Sequence, residues 1–172
     1  MKPIIVIAGP TASGKSAIAY DLARKINGYI VNGDSRQIYK ELNIGTAKPT
    51  KEELSGIPNY LYNFVSIEQR YTLWDYQKDA FKVLEENKDK TPILVGGTGL
   101  YIDSVVFNYK LPKTSDPDYS KDISSLNESD SKNPHRLVSF FQRETNPEKG
   151  EPLKHIYFVI DIDKEELNER IK

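Results

Sequence analysis

Two glycine-bounded strings and one acid carry the residues of this chain that could do chemistry. Gly9-Pro-Thr-Ala-Ser-Gly-Lys-Ser16 has the Gly-x-x-x-x-Gly-Lys-Ser spacing of a phosphate loop. Its glycines let consecutive backbone N–H groups turn toward an anion, and a following helix adds its positive end. Lys15 supplies a cation, and Ser16 a hydroxyl able to ligate Mg2+. Such a loop holds a di- or triphosphate, and the spacing does not distinguish them. The acid is Asp34, which follows an apolar run ending at Asn32, and the second glycine string is Gly96-Gly-Thr-Gly99, which follows another.

Three apolar runs and the helices between them must position these groups. Ile4 to Ile7 read as a buried strand, and Ala17 to Ile26 as a helix with Ile18, Leu22 and Ile26 recurring at helical spacing. Asn27-Gly28 is a helix stop, and Tyr29 to Asn32 a second strand. In a doubly wound sheet the residues just past the carboxyl ends of parallel strands line the ligand crevice, so Asp34 is expected to face the phosphate loop. Residues 39–62 are turn-rich and read as an ordered surface loop. From Thr72 a helix is predicted, with Tyr76, Ala80, Val83 and Leu84 inward and Lys78, Asp79, Glu85 and Glu86 outward. Ile93 to Val95 form a third strand, and the second glycine string leads into a helix over 100–107. Leu137, Val138, Phe140 and Phe141 suggest a short amphipathic helix, 146–152 a loop, and His155 to Ile160 a fourth strand. Asp163 with Glu166 resembles a capping signal for a last helix patterned by Leu167 and Ile171. The alternation predicts an α/β fold, a P-loop NTPase-like doubly wound parallel sheet flanked by helices. Residues 1–109 and 136–172 form its core, and the polar tract 110–135 reads as a linker or small excursion from it.

Composition bounds the function. A chain of 172 residues with 38% hydrophobic content buries one core. Twenty-four Lys and Arg against 25 Asp and Glu leave no global basic field, so any RNA contact is local. With no cysteine, no signal-peptide pattern and no apolar stretch long enough to span a bilayer, the protein is expected to be cytoplasmic and without a membrane partner. A monomer is expected. Lys110, Lys113, Lys121 and Lys132 alternate with Asp116, Asp118, Asp122 and Glu128 and read as a solvated face. His135 and His155 are too far apart to argue for a metal site, and Asp161 reads as a turn cap rather than a Walker B acid.

Three strings taken together resemble the tRNA dimethylallyltransferase family. They are Gly9 to Ser16, then Asp34-Ser-Arg-Gln-Ile-Tyr39 running into Ile44-Gly-Thr-Ala-Lys-Pro49, then Gly96-Gly-Thr-Gly-Leu-Tyr101. Weaker likeness continues through Pro134 to Val138 and Asp163 to Ile171. The resemblance implies transfer of a dimethylallyl group from dimethylallyl diphosphate to the exocyclic N6 amine of the adenosine beside the tRNA anticodon. It implies that Gly9, Thr11, Ala12, Ser13, Gly14, Lys15 and Ser16, with Lys164, hold the diphosphate, and that Mg2+ bridges diphosphate oxygens with Ser16 as its protein ligand. Asp34 becomes the general base, Thr98 completes the catalytic site, and Ser35, Gln37, Lys48 and Gly97 surround the adenine or tRNA. Against the family pattern, Asn59 and Tyr60 stand where paired histidines are usual and Lys164 where arginine is usual. The family's tRNA-binding insertion is reduced here to the tract 110–135 and the chain stops at Lys172, which gives the expectation of weak tRNA binding.

The chemistry suits these residue types in its own right. As an allylic C–O bond weakens, a cation, a metal and backbone donors take up charge on the departing diphosphate. The adenine amine is a poor nucleophile, and a carboxylate that accepts its proton is worth about 10²–10⁴-fold. The base must leave its stack to be reached, and Tyr39, Tyr60 and Tyr101 could stack on it or simply pack. A nucleotide or small-molecule kinase would use Lys15 and Ser16 on ATP and Asp34 on an acceptor hydroxyl, though it should carry an arginine-rich lid and 110–135 contains no arginine. A non-catalytic P-loop fragment is the third reading.

Overall fold

A computed structural model describes residues 2–54, 56–111, 124 and 148–171. Eleven elements follow in chain order: β1 (Ile4–Ala8), α1 (Lys15–Ile26), β2 (Tyr29–Asn32), β3 (Asn59–Tyr60), α2 (Leu73–Glu86), β4 (Pro92–Gly96), α3 (Gly99–Val106), β5 (Tyr109–Lys110), β6 (Glu148–Lys149), β7 (His155–Val159) and α4 (Lys164–Ile171). Five strands form one parallel sheet in the order β3-β2-β4-β1-β7. Its central strands are continuous β-branched and aliphatic runs because both faces are covered. On one face Ile4, Val6, Val31 and Leu94 meet Tyr76, Ala80 and Leu84 of α2 and Ile102 and Val105 of α3. On the other, Ile7, Ile30, Ile93 and Val95 meet Ala19, Tyr20 and Ala23 of α1. This is the doubly wound arrangement expected from the strand and helix rhythm.

Register places the chemistry. Ala8 is opposite Gly96 and Asn32 opposite Val95, so β1, β4 and β2 end at one level. The phosphate loop, the second glycine string and Asp34 therefore emerge side by side. Two caps define the neighbouring helices. Thr72 and Asp75 form a reciprocal capping box on α2. Asp163 Oδ1 accepts from the Glu165 N–H at 2.8 Å at the start of α4, while Glu166 turns to Arg170 at 2.6 Å.

Three details differ from the sequence reading. The buried face of α1 is Ala19, Tyr20 and Ala23, and Ile18 is 53% exposed. Small alanines let the helix approach the sheet closely, which puts the isoleucine stripe at its flank. The 39–62 tract hides the edge strand β3, too short at two residues to show alternation. The 146–152 loop contains β6, which pairs antiparallel with β5. The expected helix around Leu137 and most of the 110–135 excursion lie outside the described residues. Among the described residues no helix is long and apolar enough to cross a membrane.

Candidate functional site

The phosphate loop is bent by two left-handed residues, Ala12 at φ 65° and Gly14 at φ 84°. At Gly9 a side chain has no room, since a Cβ would sit 2.9 Å from Ser13 Oγ and 3.2 Å from Ile160 Cβ. Ser13 is buried, and its hydroxyl has no hydrogen-bond partner among the described residues. Lys15 Nζ donates to the Pro10 carbonyl at 2.9 Å. Burial lowers the pKa of this ammonium, and the nearby Asp34 carboxylate opposes that shift.

Asp34 reaches this loop because two backbones touch. A Cβ on Gly96 would fall 2.2 Å from the Gly33 carbonyl carbon and oxygen. The Gly33 N–H donates to the Val95 carbonyl at 2.7 Å, and the Thr98 N–H to the Gly33 carbonyl at 3.2 Å. The space beside Gly97 is bounded by the Gly9 carbonyl and Asp34 Oδ2, at 3.5 and 3.7 Å from an added Cβ. Asp34 Oδ1 accepts from the Arg36 N–H at 2.9 Å. One carboxylate oxygen is thus tied to backbone, and the other lies on the side of the glycine string.

Between these segments lies a cavity of about 250 Å³. Thr11, Ala12, Gly14, Lys15 and Ser16 form one wall, and Asp34, Gln37, Thr46 and Ala47 the other. Seven of the expected site residues thus line one space. Gly9 and Gly97 do not line it; Gly97 stands between the Gly9 carbonyl and Asp34. Thr98 and Ser35 engage each other instead: the Thr98 hydroxyl accepts from the Ser35 N–H at 3.0 Å and donates to Ser35 Oγ at 3.2 Å. This pair ties the second glycine string to the Asp34 segment. Gln37 Nε2 donates to the Thr46 and Ala47 carbonyls at 2.9 and 3.2 Å, holding the opposite wall together. Lys48 Nζ is spent on the Tyr39 carbonyl, Asn43 Oδ1 and Asn63 Oδ1, so it braces the loop behind the wall. Burial lowers the pKa of Lys48, and Glu41 opposes the shift. Lys164 opens α4, and its side chain lies outside the description.

Thr46 and Ala47 line the cavity and Arg170 lies against the phosphate loop, and none of the three was singled out from sequence as a site residue. Arg170 Nη1 lies 3.4 Å from the Ala12 carbonyl while Nη2 pairs with Glu166. The signal was topological: once β7 is placed beside β1, the helix after it starts next to the phosphate loop. Two of the three candidate stacking tyrosines, Tyr60 and Tyr101, pack against other rings. Tyr101 stacks on Tyr76 with centroids 4.1 Å apart, and burial pushes its pKa up to about 12. Tyr60 sets its ring on edge against Tyr29 and donates its hydroxyl to Asn87. Among the described residues no group of three or more His, Cys, Asp or Glu could hold a metal.

The family model described as IPP transferase matches residues 37–140, more than half of the chain. The chain belongs to the tRNA dimethylallyltransferase family. A family member from Phytoplasma australiense, a tRNA dimethylallyltransferase, is 38% identical over 99% of this chain and 66% of its own length. The full-length tRNA isopentenylpyrophosphate transferase of Bacillus halodurans superposes with a TM-score of 0.75 at 27% identity, over 99% of this chain and 64% of that one. A eukaryotic dimethylallyltransferase, seen in crystallographic snapshots acting on tRNA, gives 0.74 at 28% identity, over 99% of this chain and 51% of that one. The chain thus spans about two thirds of the length of the curated dimethylallyltransferase from Phytoplasma.

Proposed function

We propose that this chain transfers a dimethylallyl group from dimethylallyl diphosphate to the N6 amine of the adenosine beside the anticodon of tRNA. The observation that carries this reading is the single cavity with a phosphate loop on one wall and the Asp34 carboxylate on the other. The family and the named substrate of its eukaryotic member supply the reactants. In this reading the diphosphate lies against the N–H groups of Thr11 to Ser16, with Lys15 swinging from the Pro10 carbonyl onto a phosphate oxygen. The allylic C1–O bond breaks, the N6–C1 bond forms, and the amine proton passes to Asp34 Oδ2, the oxygen not held by Arg36. Gln37 keeps the wall that the adenine meets in place.

Thr11 and Ser16 bring hydroxyls to the phosphate wall, and Ser16, beside Lys15 in the loop, is the one that would ligate Mg2+. When bound, Mg2+ neutralises charge on the leaving diphosphate. In this reading the chain works as a monomer in the cytoplasm. Incubation with labelled dimethylallyl diphosphate, Mg2+ and an anticodon stem-loop tests the reading. Label should pass to the RNA without ATP hydrolysis, whereas ATP turnover without transfer would favour a kinase.

A further inference from the structure

Asn32 ends β2 and is fully buried in a strand otherwise made of Tyr29, Ile30 and Val31. A buried amide among apolar neighbours is costly unless every bond it can make is made. Here two of the three side-chain bonds fall on one residue. Asn32 Oδ1 accepts from the Asp34 N–H at 3.0 Å, and Nδ2 donates to the Asp34 carbonyl at 3.1 Å and to the Leu61 carbonyl at 2.9 Å. The backbone carbonyl of Asn32 in turn accepts the Tyr76 hydroxyl at 2.9 Å. Tyr76 is itself fully buried on α2 and stacked on Tyr101.

We propose that Asn32 is the positioning residue for Asp34. Its amide grips both backbone polar groups of Asp34, which fixes the two peptide planes that flank the carboxylate. The Arg36 N–H then selects the side-chain rotamer by holding Oδ1, and Oδ2 is left toward Gly97 of the second glycine string, on a carboxylate that lines the cavity. Tyr76 anchors the clamp to α2, so the acid is referenced to the core rather than to its own loop. The catalytic consequence rests on the reading of Asp34 as proton acceptor; the conformational claim does not.

The test uses Asn32→Ala, Asn32→Ser and Tyr76→Phe in two arms. In the conformational arm, side-chain coupling constants and amide hydrogen exchange of Asp34 are measured by NMR. The wild-type chain should show a single Asp34 χ1 rotamer and a protected amide. Asn32→Ala should show averaged couplings and amide exchange at least about tenfold faster. In the kinetic arm, misplacing a reacting group by about 1 Å costs up to about 10²-fold. Asn32→Ala should therefore lower kcat for transfer about 10- to 100-fold, with pyrophosphate affinity within about twofold of wild type. Asn32→Ser, whose hydroxyl can still accept from the Asp34 N–H, should recover part of this loss, and Tyr76→Phe should lose about 3- to 10-fold. An unchanged Asp34 rotamer with unchanged kcat would overturn the proposal, as would a kcat loss matched by an equal loss of pyrophosphate affinity. If Asn32→Ala does not fold, Asn32→Ser and Tyr76→Phe decide by the same couplings. A wild-type chain that shows the single rotamer but transfers nothing contradicts the proposed function and leaves the positioning claim standing.

Discussion

At the scale of single residues, the proposed function divides the work between the two walls of the cavity, and the division can be measured. Lys15 and Arg170 meet the phosphate side. Removing a ground-state contact weakens donor binding, so Lys15→Ala and Arg170→Ala should each raise the pyrophosphate dissociation constant about tenfold or more, read by calorimetry. Arg170→Lys should recover little, because a point charge does not reproduce the fork that spans Ala12 and Glu166. The phosphate loop was legible in sequence because its chemistry is local: eight consecutive residues contain the turn, the cation and the hydroxyl. Arg170 was not, since its partner Ala12 lies 158 residues away. The resemblance assigns Lys48 to the adenine or tRNA and Thr98 to the catalytic site, and the hydrogen bonds of both to protein partners are formed only by the folded chain.

At the scale of elements, the fold exists here to set three loops at one level. Gly96→Ala tests this, because a methyl 2.2 Å from the Gly33 carbonyl forces β4 and β2 apart. The expected cost is about 2–4 kcal/mol in denaturant unfolding, with transfer reduced further than stability alone explains. Thr72→Ala is the control: loss of the α2 capping box should cost about 1 kcal/mol and lower Tm by a few degrees without touching donor binding. Strand runs and the α2 face were readable because period 2 or 3.6 is imposed by burial, as at Tyr76, Ala80, Val83 and Leu84. The α1 face was misjudged because hydrophobicity points to Ile18 and Ile26, whereas close approach to the sheet selects Ala19 and Ala23.

At the scale of the whole molecule, buried tyrosines set an alkaline limit. Tyr29 and Tyr101 both have pKa values pushed up to about 12, chiefly by burial. A raised folded-state pKa contributes stability that is complete below the ordinary tyrosine value near 10 and is lost as pH rises toward the folded value. Melting temperature should therefore hold up to about pH 10 and fall steeply between about pH 10 and 12, with tyrosinate absorbance rising together with unfolding. Absorbance that rises while the fold persists would contradict this.

The central claim is that one cavity holds a donor on its phosphate wall and a proton acceptor on the other. Single-turnover transfer by Asp34→Asn, at saturating dimethylallyl diphosphate and with pyrophosphate affinity measured in parallel, tests it most directly. The substitution keeps shape and hydrogen bonding while removing the proton acceptor. The account predicts a rate lower by about 10²-fold or more with pyrophosphate affinity within about twofold of wild type. A rate close to wild type, or a loss of pyrophosphate affinity as large as the loss of rate, would contradict it.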